Sequence, residues 1–338
     1  MFDTNITKQI QSIVSDNQNI LVVQADNPDA DSLGSALALE DLLHKLGKNP
    51  ILYCGVDMPQ YLHYMEGWDR VNSEFPKSFD ASIIVDASTI VLLEKITSIG
   101  AKGWLAAKPC IVLDHHKEVD NAIDFATATI NIPEYSSTTE LIYYLAKELE
   151  WPLNDENCLY LMAGIIGDTQ NLTNDLAKSR TFKTVAEMID IGVNRAVLEE
   201  KRRELSKMPE KIYRYKSELI NRTQITDDGA IATVTIPQNE INDFSPLYNP
   251  VALIQGDMLQ IDGVRAVIVF KDYSGSKITG AIRTISNFPY AGQIASRFGG
   301  GGHEHASGFK VLDGTPIDRL KTDVIAYTSA LMKDQSND

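Results

Sequence analysis

The first third of the chain alternates short apolar runs with stretches in which apolar residues recur every three or four positions. NILVVQA (19–25), NPILYCG (49–55), ASIIVDAS (81–88) and PCIVLDHH (109–116) are rich in Ile, Val and Leu and end in polar residues. Continuous apolar runs of this length are the pattern of parallel strands buried on both faces. Between the first two, SLGSALALEDLLHKLGK places Leu33, Ala36, Leu37, Leu43 and Leu46 on helical spacing, with Gly47 where a helix stops. The alternation is a βαβ rhythm and predicts a doubly wound parallel sheet.

Further along, SSTTELIYYLAKEL opens a helix with Ser137 and Glu140 at the spacing of a capping box. ENCLYLMAGIIGDTQN is an apolar helix that runs into an acidic loop. The stretch 191–222 is charged and helical, interrupted by Pro209, and reads as a connector between domains. Beyond it come strand-like AIATVTI, VRAVIVFKD and KITGAIRT, then the glycine-rich RFGGGGHEHASG. The expected organisation is α/β throughout: an N-terminal doubly wound domain (1–190), a helical linker (191–222) and a smaller α/β C-terminal domain (223–338).

At 338 residues, the chain suits two domains, each large enough to bury its own core. No basic segment followed by an apolar core opens the sequence, and no run approaches the ~20 apolar residues that span a bilayer. A cytoplasmic, unanchored protein is expected. Cys54, Cys110 and Cys158 are widely separated in apolar surroundings, so they read as reduced structural thiols. The net charge of −15 argues against coating long nucleic acid, because clustered Lys and Arg supply most of that affinity. A short anionic ligand at one focused site stays open, with a metal ion supplying local positive charge.

Chemistry-bearing residues gather at the ends of the predicted strands. Asp29 and Asp31 follow the first, Asp86 ends the third, Asp114, His115 and His116 end the fourth, and Asp168 follows the later helix. In an open parallel sheet those ends line the ligand crevice. Taken singly, Asp29 and Asp31 could be a helix cap, and a histidine pair at a strand end could be satisfied locally. Together, unpaired, they would repel one another and resist burial, a penalty that divalent cations remove. Carboxylates with one or two imidazoles and no thiolate suit Mn²⁺ or Mg²⁺. Two such ions ~3.5–4 Å apart activate water and stabilise charge on a phosphoryl group. Gly299, Gly300, Gly301 and Gly302 read either as a hinge or as a backbone anion nest, with His303 and Arg283 adding charge-assisted hydrogen bonds. His44 and His63 read as structural.

NPDADSLGS, VDAS, LDHH, GIIGDT and GGGGHEHASG resemble, in that order and over nearly the whole chain, the motifs of the DHH phosphoesterase superfamily with its C-terminal DHH-associated domain. The compact length is most similar to the NrnA-type branch, which degrades very short oligoribonucleotides and dephosphorylates 3′,5′-bisphosphoadenosine (pAp). The resemblance implies a two-metal hydrolase, with Mn²⁺ expected and Mg²⁺ as the alternative. It places Asp29 on the first metal, Asp31 on the second and Asp86 between them as the bridge. His115 and Asp168 complete the second metal, Asp114 orients the His115 imidazole, and His116 meets the substrate phosphate. Arg283, His303 and the four glycines hold the terminal phosphate. The implied substrate is a short RNA or nucleotide, with no long nucleic acid and no membrane as partner; a homodimer is left open. Related branches act on cyclic dinucleotides or, RecJ-like, on longer single strands. One position departs from the motif: the family has a histidine ligand of the first metal where this chain has Ala25, so either Gln24 or Asp26 supplies an oxygen there, the first metal is weakly held, or the protein binds nucleotides without hydrolysing them.

Overall fold

The structure is a computed structural model that describes residues 2–116, 122–205, 207–226, 228–245, 248–274 and 276–335. The chain forms two compact units, Met1–Lys207 and Met208–Asp338. In the first, α1 (Thr4–Asp16), β1 (Asn19–Val23), α2 (Ala30–Lys45), β2 (Asn49–Tyr53) and β3 (Ala81–Val85) are followed by two short helices, α3 (Glu94–Ser98) and α4 (Lys102–Ala106). Then come β4 (Cys110–Asp114), β5 (Ala128–Asn131), α5 (Thr138–Glu148), α6 (Asp155–Asp168), α7 (Ser179–Ile191) and α8 (Arg195–Leu205).

The strands run in the order β2-β1-β3-β4-β5, every neighbouring pair parallel. The four strands read from the apolar runs are all present, each shorter than its run. Strand order reverses beside β1, so the carboxyl ends of β1 and β3 border the crevice where such sheets bind ligands. Residues alternate across the sheet as its pleat requires. Ile20, Val22, Ile83 and Leu113 pack with Leu33, Leu37 and Leu141 on one face, while Leu21, Val23, Ile84 and Val112 pack with Leu93, Ile96 and Leu105 on the other. Each such side chain contributes about 1.5–3 kcal/mol on burial, and cover on both faces explains why the runs are apolar without alternation.

Helices α2 and α6 meet with almost no space between their backbones. A Cβ on Gly34 would lie 2.6 Å from the Tyr160 carbonyl oxygen, and one on Gly164 would lie 2.5 Å from the Thr139 side chain and 2.7 Å from Asp31 Oδ1. Small residues at this crossing bring the start of α2 against the end of α6, and with them Asp31 against Asp168. Gly164→Ala forces an added methyl into that gap. Overpacking of this kind costs about 1–3 kcal/mol, so the variant is expected to unfold at lower temperature, which a thermal melt in chelator measures.

In the second unit, α9 (Glu210–Asn221), β6 (Gln224–Ile225), β7 (Ile231–Pro237), α10 (Gln238–Phe244), α11 (Pro250–Leu259), β8 (Ala266–Asp272) and β9 (Ile278–Thr284) precede α12 (Ala291–Arg297), β10 (Gly301–Gly302), β11 (Ala306–Val311) and α13 (Ile317–Gln335). They build a mixed sheet, β10-β11-β9-β8-β7-β6, in which only β7 and β8 pair in parallel. The stretch 191–222 is shared between the units. Leu198 of α8 belongs to the first core, whereas Ile212, Tyr215 and Leu219 of α9 belong to the second, with Pro209 at the start of α9. The three cysteines are free and buried, and burial pushes the Cys54 and Cys110 thiols up to about 11. Among the described residues no helix is long and apolar enough to cross a membrane.

Candidate metal centre

Asp29 is the N-cap of α2: its Oδ1 accepts from the Asp31 and Ser32 amides, both at 3.0 Å. The cap uses Oδ1 alone. Asp31, in the first turn of α2, is fully buried. It accepts from the Thr138 amide at 2.7 Å, the Thr139 amide at 2.9 Å and the Thr139 hydroxyl at 2.7 Å. The start of α5, where amides have no helical partner, therefore points at a carboxylate as the helix dipole favours. Asp86 leaves β3 with φ of 56°, a left-handed conformation that Asp tolerates better than most residues. Its Oδ1 accepts from the Thr138 hydroxyl at 3.1 Å.

His115 joins these groups. Its Nδ1 lies 3.3 Å from the Tyr135 carbonyl oxygen, and its Nε2 lies 3.1 Å from Asp168 Oδ2, 3.8 Å from Asp31 Oδ2 and 3.9 Å from Asp86 Oδ1. A backbone carbonyl on one ring nitrogen fixes the other toward the carboxylates. Asp114 does not orient this ring, contrary to the sequence expectation. Its Oδ1 takes His116 Nδ1 at 2.7 Å and the His115 amide at 2.7 Å, while Oδ2 takes the Ser88 amide at 2.8 Å and the Ser88 hydroxyl. The imidazole held by Asp114 is that of His116, whose side chain is 53% exposed.

The electrostatics show what such crowding does. Burial, then the charges of Asp31 and Asp29, push the Asp86 carboxyl well above the usual carboxylate range. Burial and Asp31 likewise push Asp168 up to about 7, and the same two causes raise Asp29. Burial disfavours the charged form of His115, but its hydrogen bond to Asp168 and the charge of Asp31 outweigh this and raise it to about 9. The hydrogen bond to Asp114 raises His116. Asp114 is opposite in sense: burial acts to raise it, yet the hydrogen bonds from His116, Ser88 and the His115 amide together hold it below its usual range.

Among the described residues two groups have ligand atoms within 4.8 Å of one another, Asp31 with His115 and Asp168, and Asp86 with His115 and His116. Three carboxylates with two imidazoles, one of them shared, fit a hard or borderline divalent ion, and a cation would relieve the repulsion that raises Asp86 and Asp168. Asp29 is in neither group. Neither substitute for the missing histidine is turned to the cluster by its hydrogen bonds. Asp26 Oδ2 accepts from the Lys95 amide at 2.7 Å, at the start of α3, and Gln24 Oε1 accepts from Ser32 Oγ at 3.4 Å. Ala25 packs with Leu21 and Val23. His115 is common to both groups, with Asp31 and Asp168 on one side and Asp86 and His116 on the other.

Nothing in the pattern of residues singles out Thr138, Thr139, Ser88 or Tyr135 for this site. The Ser-Thr cluster before α5 reads as a local cap, and part of it is one, since Ser137 accepts from the Glu140 amide. The box is incomplete, because the Glu140 carboxylate takes the Ser136 amide instead of that of Ser137.

In the second unit, Arg283 of β9 stands opposite Ala306 of β11. Gly301 and Gly302 pair with Gly308 and Ser307, and the His303 amide closes a turn onto the Ala306 carbonyl oxygen at 2.9 Å. The anion-nest reading fails for two of the four glycines. The Gly299 amide donates to Ser296 and the Gly300 amide to Ala295, finishing α12. Close approach accounts for glycine at two positions: a Cβ on Gly300 would be 2.1 Å from the Gly308 carbonyl oxygen, and Gly302 has φ of 137°.

Residues 19–165 match the family model described as the DHH family, N-terminal domain. The chain is 29% identical over 295 residues to the uncharacterized protein MG371 of Mycoplasma genitalium, covering 85% of this chain and 84% of that one. It is 23% identical over 301 residues to the bifunctional oligoribonuclease and PAP phosphatase NrnA of Bacillus subtilis, covering 88% and 90%. Among solved structures, an exopolyphosphatase-related protein from Bacteroides fragilis superposes with a TM-score of 0.80 at 20% identity, covering 98% of each chain. That last likeness is one of fold.

Proposed function

We propose that the chain is a phosphoesterase of the DHH kind, whose N-terminal domain model residues 19–165 match, and that it hydrolyses short nucleotidic phosphoesters, two- to five-residue RNA fragments or linear dinucleotides, and pAp, with Mn²⁺ or Mg²⁺. The observation that carries this reading is the convergence on His115 Nε2 of Asp168, Asp31 and Asp86 at the carboxyl edge of a parallel sheet. Relatives described as acting on short RNA and PAP, matched over most of both chains, support the substrate class.

Asp31, His115 and Asp168 would hold one ion, with Asp86 beside His115, and Asp29 with Asp86 would hold a second more weakly. Divalent ions, when bound, supply positive charge against the phosphoryl oxygens and make a nearby water more acidic. Thr138, Thr139 and the Tyr135 carbonyl keep the ligands in place. Asp114 anchors the His116 ring, whose exposed side meets the substrate phosphate as a hydrogen-bond donor. Arg283 and His303, with Gly301 and Gly302, take the terminal phosphate.

His303→Ala tests the last role. A hydrogen bond to a charged group contributes about 1.5–3 kcal/mol, so KM for the dinucleotide is expected to rise by about 10- to 150-fold with unchanged Mn²⁺ affinity, as steady-state kinetics and metal titration measure. The reading as a whole is tested by comparing kcat/KM for a 5′-phosphorylated RNA dinucleotide, a five-residue RNA, a long single strand, pAp and a cyclic dinucleotide. Turnover that falls as the strand lengthens supports it. Preference for the long strand or the cyclic compound replaces it with the corresponding alternative.

A further inference from the structure

We propose that the ring of Tyr61 is the platform on which a substrate nucleobase stacks beside the carboxylate cluster. This rests on the reading of the site as one for short nucleotidic phosphoesters. Tyr61 lies in a single helical turn, Gln60–Leu62, after β2. Leu62 anchors that turn in the first core, yet Tyr61 itself is 61% exposed. Burial does not account for a large aromatic in that position.

The side chain is nonetheless held. Its hydroxyl donates to the Pro28 carbonyl oxygen at 2.9 Å, one residue before Asp29. Backbone at one end and this hydrogen bond at the other fix the ring against the loop that leads into Asp29 and the start of α2. Partial burial, then the charge of Asp29, push the phenol up, which agrees with a position close to that carboxylate. An aromatic with only two side-chain torsions, already fixed at both ends, presents its face at little further entropic cost. Every base has a π-face, so stacking tolerates any base. That is the recognition a hydrolase of short RNA needs, because its substrates are defined by length and not by sequence.

The rival role is a strut, in which Tyr61 matters only because it holds Pro28. Steady-state kinetics on Tyr61→Ala, Tyr61→Phe and Tyr61→Trp separates the two, using a 5′-phosphorylated RNA dinucleotide and the same compound lacking one base. Base stacking on an aromatic side chain is worth about 1–3 kcal/mol, so Tyr61→Ala is expected to raise KM for the dinucleotide about 5- to 150-fold. Its kcat stays within about twofold of wild type, and KM for the abasic compound does not change. Tyr61→Phe and Tyr61→Trp, which keep a face and lose the hydrogen bond, stay within about threefold of wild type. A strut gives the reverse: Tyr61→Phe as damaging as Tyr61→Ala, with both substrates affected alike. That result, or an unchanged KM in Tyr61→Ala beside an active wild type, overturns the platform alone. A wild type inactive on both compounds overturns the reading of the site and this inference with it.

Discussion

Asp168→Asn is expected to lower turnover of a 5′-phosphorylated RNA dinucleotide by about 10²- to 10³-fold, on the scale set by removing one preorganised electrostatic contact from a water-excluded site. Asn keeps the size of the side chain and removes its charge. Asp168 is the last residue of α6, its Oδ2 lies 3.1 Å from His115 Nε2, and it belongs with Asp31 and His115 to one of the two ligand groups. Loss of this carboxylate therefore weakens metal affinity and leaves His115 without its nearest partner. The fold should survive, because Asp168 caps no other element and its neighbours pack through apolar side chains. Unchanged turnover in a variant that still melts like wild type would remove Asp168 from the site.

Asp86→Asn is expected to change the sign of its effect with metal. In chelator the wild type holds a buried carboxylate among Asp31, Asp29 and Asp168, a placement unfavourable enough to push its pKa far up. Asn relieves the repulsion, and Asn adopts the left-handed conformation found at this position without added strain. Relief of about 1–2 kcal/mol raises the melting temperature of a unit of this size by about 2–8 °C. With Mn²⁺ at a hundredfold excess over its dissociation constant, the wild type gains about 2.7 kcal/mol, whereas the variant has lost the carboxylate that both ions would share and gains little. The melting curves of the first unit should therefore cross in order between chelator and Mn²⁺. A variant less stable than wild type under both conditions would mean that Asp86 is a structural hydrogen-bond acceptor for Thr138 and not a crowded ligand.

Much of this cluster is legible in the sequence because its residues stand at the ends of elements whose patterns are strong. Asp86 and Asp114 follow short apolar runs that read as buried strands, and Asp31 opens a long apolar helix. The short β5 is harder to see, since only alternate residues of Ala128–Asn131 are buried. Thr138 and Thr139 are missed for a different reason. Their local pattern is satisfied by a helix cap, and the contact that matters reaches Asp31, more than a hundred residues away in the chain. Asp114 illustrates the same limit: three consecutive polar residues fix which groups are available, but only the path of the chain after β4 decides that His116 turns to Asp114 while His115 turns away. The glycine run shows how one residue type serves two ends. Gly300 and Gly302 are required by close approach and by a left-handed turn, and neither need separates in sequence from an anion nest.

The measurement closest to the central claim is release of mononucleotide from a 5′-phosphorylated RNA dinucleotide by the full chain, in Mn²⁺, in Mg²⁺ and in chelator. The carboxylate cluster predicts turnover with either ion and none with chelator, restored when the ion is added back. Turnover that persists in chelator, or none with metal demonstrably bound, would contradict it.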